Sequence, residues 1–232
     1  MTQHADQCTV VITTKDRREE LPRAVQSALD QTVKPNVLVI DDGSSDGTSE
    51  MIRRDFPQVA LDRSERPLGL IAQRSRAANL VETPYIVSID DDAVFPSRHT
   101  IEQTLAELED ARIGAVAIPY FDVYRNWDQP RFPVPDHEHI WCCEHYIGTA
   151  HLLRRDVFQM LGGYRDELFM RCEERDYCLR MLEAGYVVRI GAADPIHHYE
   201  SPRRPSNRIR RYESRNFLLF ALHNAPLRAL PK

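Results

Sequence analysis

Apolar positions in the first part of the chain fall into short blocks separated by polar turns. Residues 9–14 (TVVITT) form a β-branched run of the kind found in buried strands. Leu21, Val25, Ala28 and Leu29 then recur at helical spacing. A second strand is expected over 36–42 (NVLVIDD), followed by a turn over 43–48 (GSSDGT) and a helix around 49–55. Residues 59–63 fit a third strand, and residues 69–81 fit a helix carrying Arg74 and Asn79. Residues 84–89 (PYIVSI) form a further strand that runs straight into Asp90, Asp91 and Asp92. This β-α-β-α-β alternation predicts an α/β fold with a Rossmann-like, mostly parallel sheet flanked by helices.

The pattern after residue 112 is less regular. Strands are expected over 113–120 and 186–190, and a helix over 177–184. Residues 122–144, rich in Pro, aromatic and His residues, read as a long loop. An arginine-rich segment (Arg203, Arg204, Arg208, Arg210, Arg211, Arg215) precedes the apolar run 217–222. With 232 residues, the chain suits one substantial core, so these segments are read as a single domain.

Composition narrows the function classes. The formal net charge of -5 argues against a nucleic-acid partner, for which a basic balance is usual. No stretch approaches the roughly 20 apolar residues of a membrane span, and residues 1–9 lack the apolar core of a signal peptide. The five cysteines (8, 142, 143, 172, 178) include no CxxC pair and fit reduced thiols. A cytoplasmic protein is expected.

Candidate chemistry gathers at strand ends, where parallel α/β sheets bind their ligands. Three strands end in polar residues: Thr14-Lys15-Asp16-Arg17, Asp41-Asp42 and Asp90-Asp91-Asp92. Three adjacent carboxylates repel one another unless a cation or several donors neutralise them, and a divalent ion takes such oxygen ligands. A solvated acidic turn is the plain alternative. Asp42 can accept a hydrogen bond from a base or ribose, although a capped strand-to-helix turn explains much of 41–48. Glu173, Glu174 and Asp176 can supply a general base, yet the helix dipole alone accounts for acids at a helix start. His197 and His198 can complete a metal site, which most histidines do not do. Trp127 and Trp141 offer faces for sugar stacking or for core packing. The His137–His145 region matches no strong zinc spacing.

Taken in order, these motifs resemble the family 2 glycosyltransferases of GT-A fold, and the likeness covers nearly the whole chain. Residues 10–17 (VVITTKDR) look like that family's first strand and donor loop, and 39–48 (VIDDGSSDGT) like its second-strand signature. Residues 89–92 (IDDD) fit its DxD site as Asp90-x-Asp92. Gly148-Thr149-Ala150, Arg154-Arg155 and Gly162-Gly163-Tyr164 are similar to its acceptor-side segment. Residues 173–176 (EERD) resemble its Glu-Asp-x-Asp motif, with Glu174 in place of the usual Asp. The chain departs from the pattern at Ser75, where the family has Asn, and at Thr83-Pro84, where it has Gly-Glu. The general look is similar to bacterial rhamnosyltransferase-like members.

The resemblance implies an inverting transfer of a sugar from a UDP-, dTDP- or GDP-linked donor to an acceptor hydroxyl. The acceptor is a carbohydrate, a lipid-linked molecule or a small molecule. It divides the domain into a donor-binding half, 1–112, and an acceptor-binding and catalytic half, 113–232. Thr14, Asp16, Arg17, Asp41, Asp42, Arg74, Asp90 and Asp91 then bind the donor. Asp92 and Asp90, with His198 or His197, hold Mn²⁺ or Mg²⁺. Glu174 is the base, and Glu173, Asp176, Trp127 and Trp141 serve the acceptor. Residues 203–222 combine arginines with apolar side chains and allow peripheral contact with the inner face of a membrane. A non-catalytic nucleotide-sugar-binding protein would keep Asp42 and Asp92 without a working base. A nucleotidyltransferase would usually carry a glycine-rich phosphate loop after the first strand, and TTKDR has none. An RNA-binding reading rests on the arginines alone and predicts steep salt dependence.

Overall fold

Apolar strands covered on both faces by helices build the centre of the molecule. A computed structural model describes residues 7–125, 128–200 and 206–226. The first part runs β1 (Cys8–Thr14), α1 (Leu21–Leu29), β2 (Asn36–Asp41), α2 (Thr48–Asp55), β3 (Ala60–Arg63), α3 (Leu70–Leu80) and β4 (Tyr85–Asp90). β1 pairs in parallel with β2 and β4, and β2 pairs in parallel with β3. Alternate residues of each strand feed two cores. Val10, Ile12, Val39 and Val87 pack with Leu21 and Val25 of α1 and Ile52 of α2. Val11, Leu38, Ile40 and Ile86 pack with Ile71 and Ala77 of α3. Burial on both faces is why these strands read as near-continuous apolar runs.

The chain continues through β5 (Ala93–Val94), α4 (Thr100–Ala106), β6 (Ile113–Ala117), β7 (Tyr120–Asp122), β8 (Cys142–Cys143), β9 (Ala150–Arg154) and α5 (Arg155–Met160). A 3-10 turn (Asp166–Leu168), α6 (Glu173–Glu183), β10 (Val187–Ile190), β11 (Ile196–His198) and α7 (Ser206–Asn224) complete it. The main sheet has the order β3-β2-β1-β4-β9-β6-β10-β8, and a small second sheet has the order β5-β11-β7. β9 runs antiparallel to both of its neighbours, β4 and β6. The expected α/β class with a mostly parallel sheet is what the chain forms.

Two boundaries differ from expectation. The single strand over 113–120 is two strands, β6 and β7, in different sheets. Pro119 lies between them and has no N–H to continue a ladder. The helix expected over 177–184 starts at Glu173, so the acids 173–176 form its first turn. No described helix is long and apolar enough to cross a membrane. Trp127, Arg203 and Arg204 lie outside the described residues.

Candidate active site

Parallel register brings the three polar strand ends to one edge of the sheet. Thr14 stands opposite Asp41, and Thr13 opposite Asp90. Beyond that edge opens a cavity of about 680 Å³, inside the roughly 300–1,000 Å³ range usual for small-molecule sites. Thr14, Arg17, Asp42, Arg74, Asp90 and Asp91 are in its wall on the side of the first strands.

The turn after β2 is built from the acids themselves. Gly43 and Gly47 take the left-handed backbone (φ 74° and 86°) that reverses the chain. Asp41 is turned away from the cavity: it accepts a hydrogen bond from the Ser44 amide at 2.8 Å and one from the Ser49 hydroxyl. Asp16 accepts from the Ser45 amide at 2.7 Å, and so ties the first loop to the second. Both residues shape the wall without lining it. Asp42 does line it, and its carboxylate accepts from the amides of Leu68 and Gly69 (2.6 and 3.0 Å) and from Gln73 (2.6 Å).

Next to this wall, Asp90, Asp92 and His198 bring one ligand atom each within 4.8 Å of one another. His198 Nε2 lies 3.1 Å from Asp92 and 3.9 Å from Asp90. Its neighbour His197 faces the other way along β11, with its ring 6.2 Å from that of Phe121. Burial, then repulsion from Asp92, pushes the Asp91 carboxyl up to about 7, against the hydrogen bond it accepts from Thr14 at 2.8 Å. Two carboxylates and an imidazole amid such crowded negative charge fit a hard divalent cation.

Arg74 connects this cluster to the other acids. Its buried guanidinium donates to Asp90 (2.7 Å) and to the Gly148 carbonyl (3.0 Å). It also lies 3.5 Å from Glu173 and 3.9 Å from Glu174. Burial opposes its charge, but Asp90, Glu173 and Glu174 outweigh that and raise its pKa. Gly148 leaves room for both side chains as they stand, because a Cβ at this position would lie 2.6 Å from Glu174 Oε1 and would overlap Arg74. Glu173 and Glu174 both reach the cavity wall. Glu173 is the deeper of the two, and burial followed by repulsion from Glu174 pushes its carboxyl up to about 8.

Asp176, by contrast, is turned into the protein. It pairs with Arg165 at 3.1 Å and Arg180 at 2.9 Å, and accepts from Asn224 at 3.0 Å. Trp141 stands against His139 with rings 6.2 Å apart, outside the cavity wall. The cavity is also lined by residues that the sequence pattern did not single out, among them Tyr120, Asp122, Arg125 and Glu200. Tyr120 lies beside His198, with rings 6.2 Å apart, and Asp122 is the strand partner of His198. Arg125 bridges Asp122 (2.9 Å) and Glu200 (3.2 Å). The strand-end rule that found Asp90 applies to Asp122 as well, but β7 has only three residues and no alternation to announce it.

An O-antigen chain rhamnosyltransferase of Salmonella anatum, WbaN, is 24% identical over 183 residues, covering 72% of this chain and 58% of that protein. The chain therefore spans less than two thirds of that relative's length. The N-acetylglucosaminyl-diphospho-decaprenol L-rhamnosyltransferase of Mycobacterium tuberculosis is 24% identical over 266 residues, covering 93% of this chain and 84% of that protein. A mannosyltransferase of Pyrobaculum calidifontis, PcManGT, solved with GDP-Man and Mn²⁺, superposes with a TM-score of 0.75 at 20% identity. That superposition covers 95% of this chain and 65% of the other, and the shared architecture is the GT-A fold. The profile of Glycosyl transferase family 2 matches residues 9–162, well over half of the sequence, and the chain belongs to that family.

Proposed function

We propose that the protein transfers a sugar from a nucleotide-diphosphate donor to an acceptor hydroxyl, with inversion at the anomeric carbon and Glu174 as general base. The observation that carries this reading is the shared guanidinium: Arg74 touches Asp90 on the donor side of the cavity and Glu174 on the other side. One cavity thus offers a cation cluster for a diphosphate and a carboxylate for a hydroxyl a short distance away.

In this reading Thr14, Arg17, Asp42 and Asp91 form the donor wall, and Asp41 and Asp16 keep its turns in place. Asp90, Asp92 and His198 would hold the Mn²⁺ or Mg²⁺ ion. Bound there, such an ion supplies positive charge to the departing diphosphate. Arg74 adds a fixed positive charge at the same place. Glu174 takes the acceptor proton as the hydroxyl oxygen bonds to the anomeric carbon, and the bond from that carbon to the diphosphate oxygen breaks on the opposite face. Tyr120, Asp122 and Arg125 line the same cavity and are assigned in this reading to contacts with the bound substrates. Donors of the kinds named for the structural relatives, GDP- or UDP-linked, are the first to test. The M. tuberculosis relative's name describes a lipid-diphosphate acceptor, and a lipid-linked acceptor here would agree with contact between α7 and a membrane surface.

The test pairs two variants. Glu174→Gln keeps size and polarity but cannot take the proton, so transfer should fall by about 10²–10⁴ while donor affinity stays within a few-fold. Asp92→Ala should lose the Mn²⁺-dependent part of donor binding, read by thermal shift over a panel of nucleotide-sugars. Near wild-type transfer by Glu174→Gln, or equal donor affinity with and without metal in the wild type, refutes the corresponding assignment.

A further inference from the structure

Over the residues that lead into Glu173 and Glu174 the backbone takes an unusual course. Phe169, Arg171 and Cys172 all have positive φ (59°, 72° and 70°), and none of them is glycine. Side chains rarely adopt this region, and such a run persists only where its surroundings over-determine it. Phe169, Met170 and Arg171 line the cavity, and Cys172 caps α6, whose first two residues are Glu173 and Glu174. The course of this segment therefore sets where both carboxylates sit.

What holds it comes from α7. Asn216 is fully buried, and the two N–H groups of its amide nitrogen are shared among the carbonyls of Leu168, Met170 and Arg171, at 2.7, 2.6 and 2.8 Å. The orientation of that amide is fixed by Arg215, which donates to its oxygen at 2.7 Å. Arg215 donates as well to the carbonyls of Glu167 (2.7 Å) and Leu168 (2.9 Å). One turn earlier, Tyr212 stacks on Phe169 with ring centroids 5.1 Å apart. Helix α7 thus grips the carbonyls of Glu167, Leu168, Met170 and Arg171 in a segment that the backbone geometry alone would not keep.

We infer that Asn216 is a positioning residue for the transfer reaction, acting through segment 168–172 to place Glu174 against the acceptor. The inference rests on Glu174 being the base. Asn216→Asp has almost the same shape, but it removes the amide donor and sets a carboxylate against three carbonyl oxygens. Because small misplacement of a reacting group can cost about 10²-fold, kcat for donor turnover should drop by about 10–100-fold. The Kd for UDP or GDP with Mn²⁺ should stay within about 3-fold, because the donor wall rides on β1, β2 and β4. Hydrogen exchange should quicken across 167–175 and stay unchanged in those strands. Arg215→Ala, a change at an exposed position, should move the same readouts in the same direction to a smaller extent and serves where Asn216→Asp does not fold. Unchanged kcat in a folded Asn216→Asp, alongside a dead Glu174→Gln, overturns the inference and leaves the base in place. Equal loss of kcat and nucleotide affinity, with faster exchange throughout the strands, overturns it as well. A wild-type rate in Glu174→Gln removes the base assignment and this inference with it.

Discussion

Glu173 and Glu174 are neighbours in sequence, face the same guanidinium and differ in depth. Glu173 is 3% exposed, and its carboxyl is pushed from 4.5 up to about 8, by burial first and by Glu174 second. The folded protein therefore holds a proton at this site that the unfolded chain releases above about pH 4.5. Its advantage is complete below that pH and is lost as pH rises through about 8. One such proton contributes at most about 1.4 kcal/mol of lost stability per pH unit in that window. Glu173→Gln cannot release a proton, so its urea-unfolding free energy should fall less between pH 5 and pH 8.5 than that of the wild type. Parallel curves for the two proteins would refute the buried, protonated state. At this scale the sequence marked out the acids but not which way each of them turns. Asp90 and Asp92 come together with His198 in a cluster that could hold a cation, and His197 points away from it because alternate residues of β11 face opposite ways. Asp41, Asp16 and Asp176 were equally visible as acids. Which of them turn inward to amides and arginines depends on turn geometry and distant partners such as Ser49 and Arg165, which no local pattern contains.

Among the elements, the parallel strands were legible because burial on both faces gives each an unbroken apolar run. β9 was not legible: its sequence, AHLLR, is short and carries a buried histidine at its second position. The long-range pairing with β4 and β6 makes it a strand, a tertiary effect that outweighs local propensity. For α7 the arginine-to-apolar pattern was visible, and the helix gives it a face. Arg211, Leu218 and Leu222 recur at helical spacing, and Phe217, Leu218 and Leu222 are 48%, 62% and 53% exposed. Exposed arginines beside exposed apolar side chains suit an anionic bilayer surface, at about 1 kcal/mol per arginine near the headgroups. The protein should sediment with vesicles containing phosphatidylserine at low salt and be released at high salt, where charge is screened. Leu218→Glu should weaken sedimentation while leaving in place the buried Asn216, which lies about 160° away around the helix; Arg215 shares the stripe of Arg211 and Leu218. Failure of the wild type to sediment at low salt would exclude this contact.

Across the whole molecule, the halves proposed for donor and acceptor share one sheet and meet at Arg74. This side chain leaves α3, among the first elements, and reaches Asp90 at the end of β4, the Gly148 carbonyl and the start of α6. Removing it leaves Asp90, Glu173 and Glu174 facing each other with little water to screen them. Breaking a buried charge set by deleting one member typically costs about 3–5 kcal/mol, and Arg74→Met should fall in that range. The origin of the cost can be separated from lost packing by adding Glu173→Gln. If repulsion among the stranded carboxylates dominates, the second change removes one of them and recovers part of the loss. The pair should then show a coupling of about 0.5–3 kcal/mol in unfolding free energy, larger at pH 9 than at pH 6 because Glu173 is ionised only at the higher value. If Arg74 acts chiefly as a space-filling side chain, the two changes will add without coupling at either pH, and its role as the charge that joins the two sides of the cavity fails.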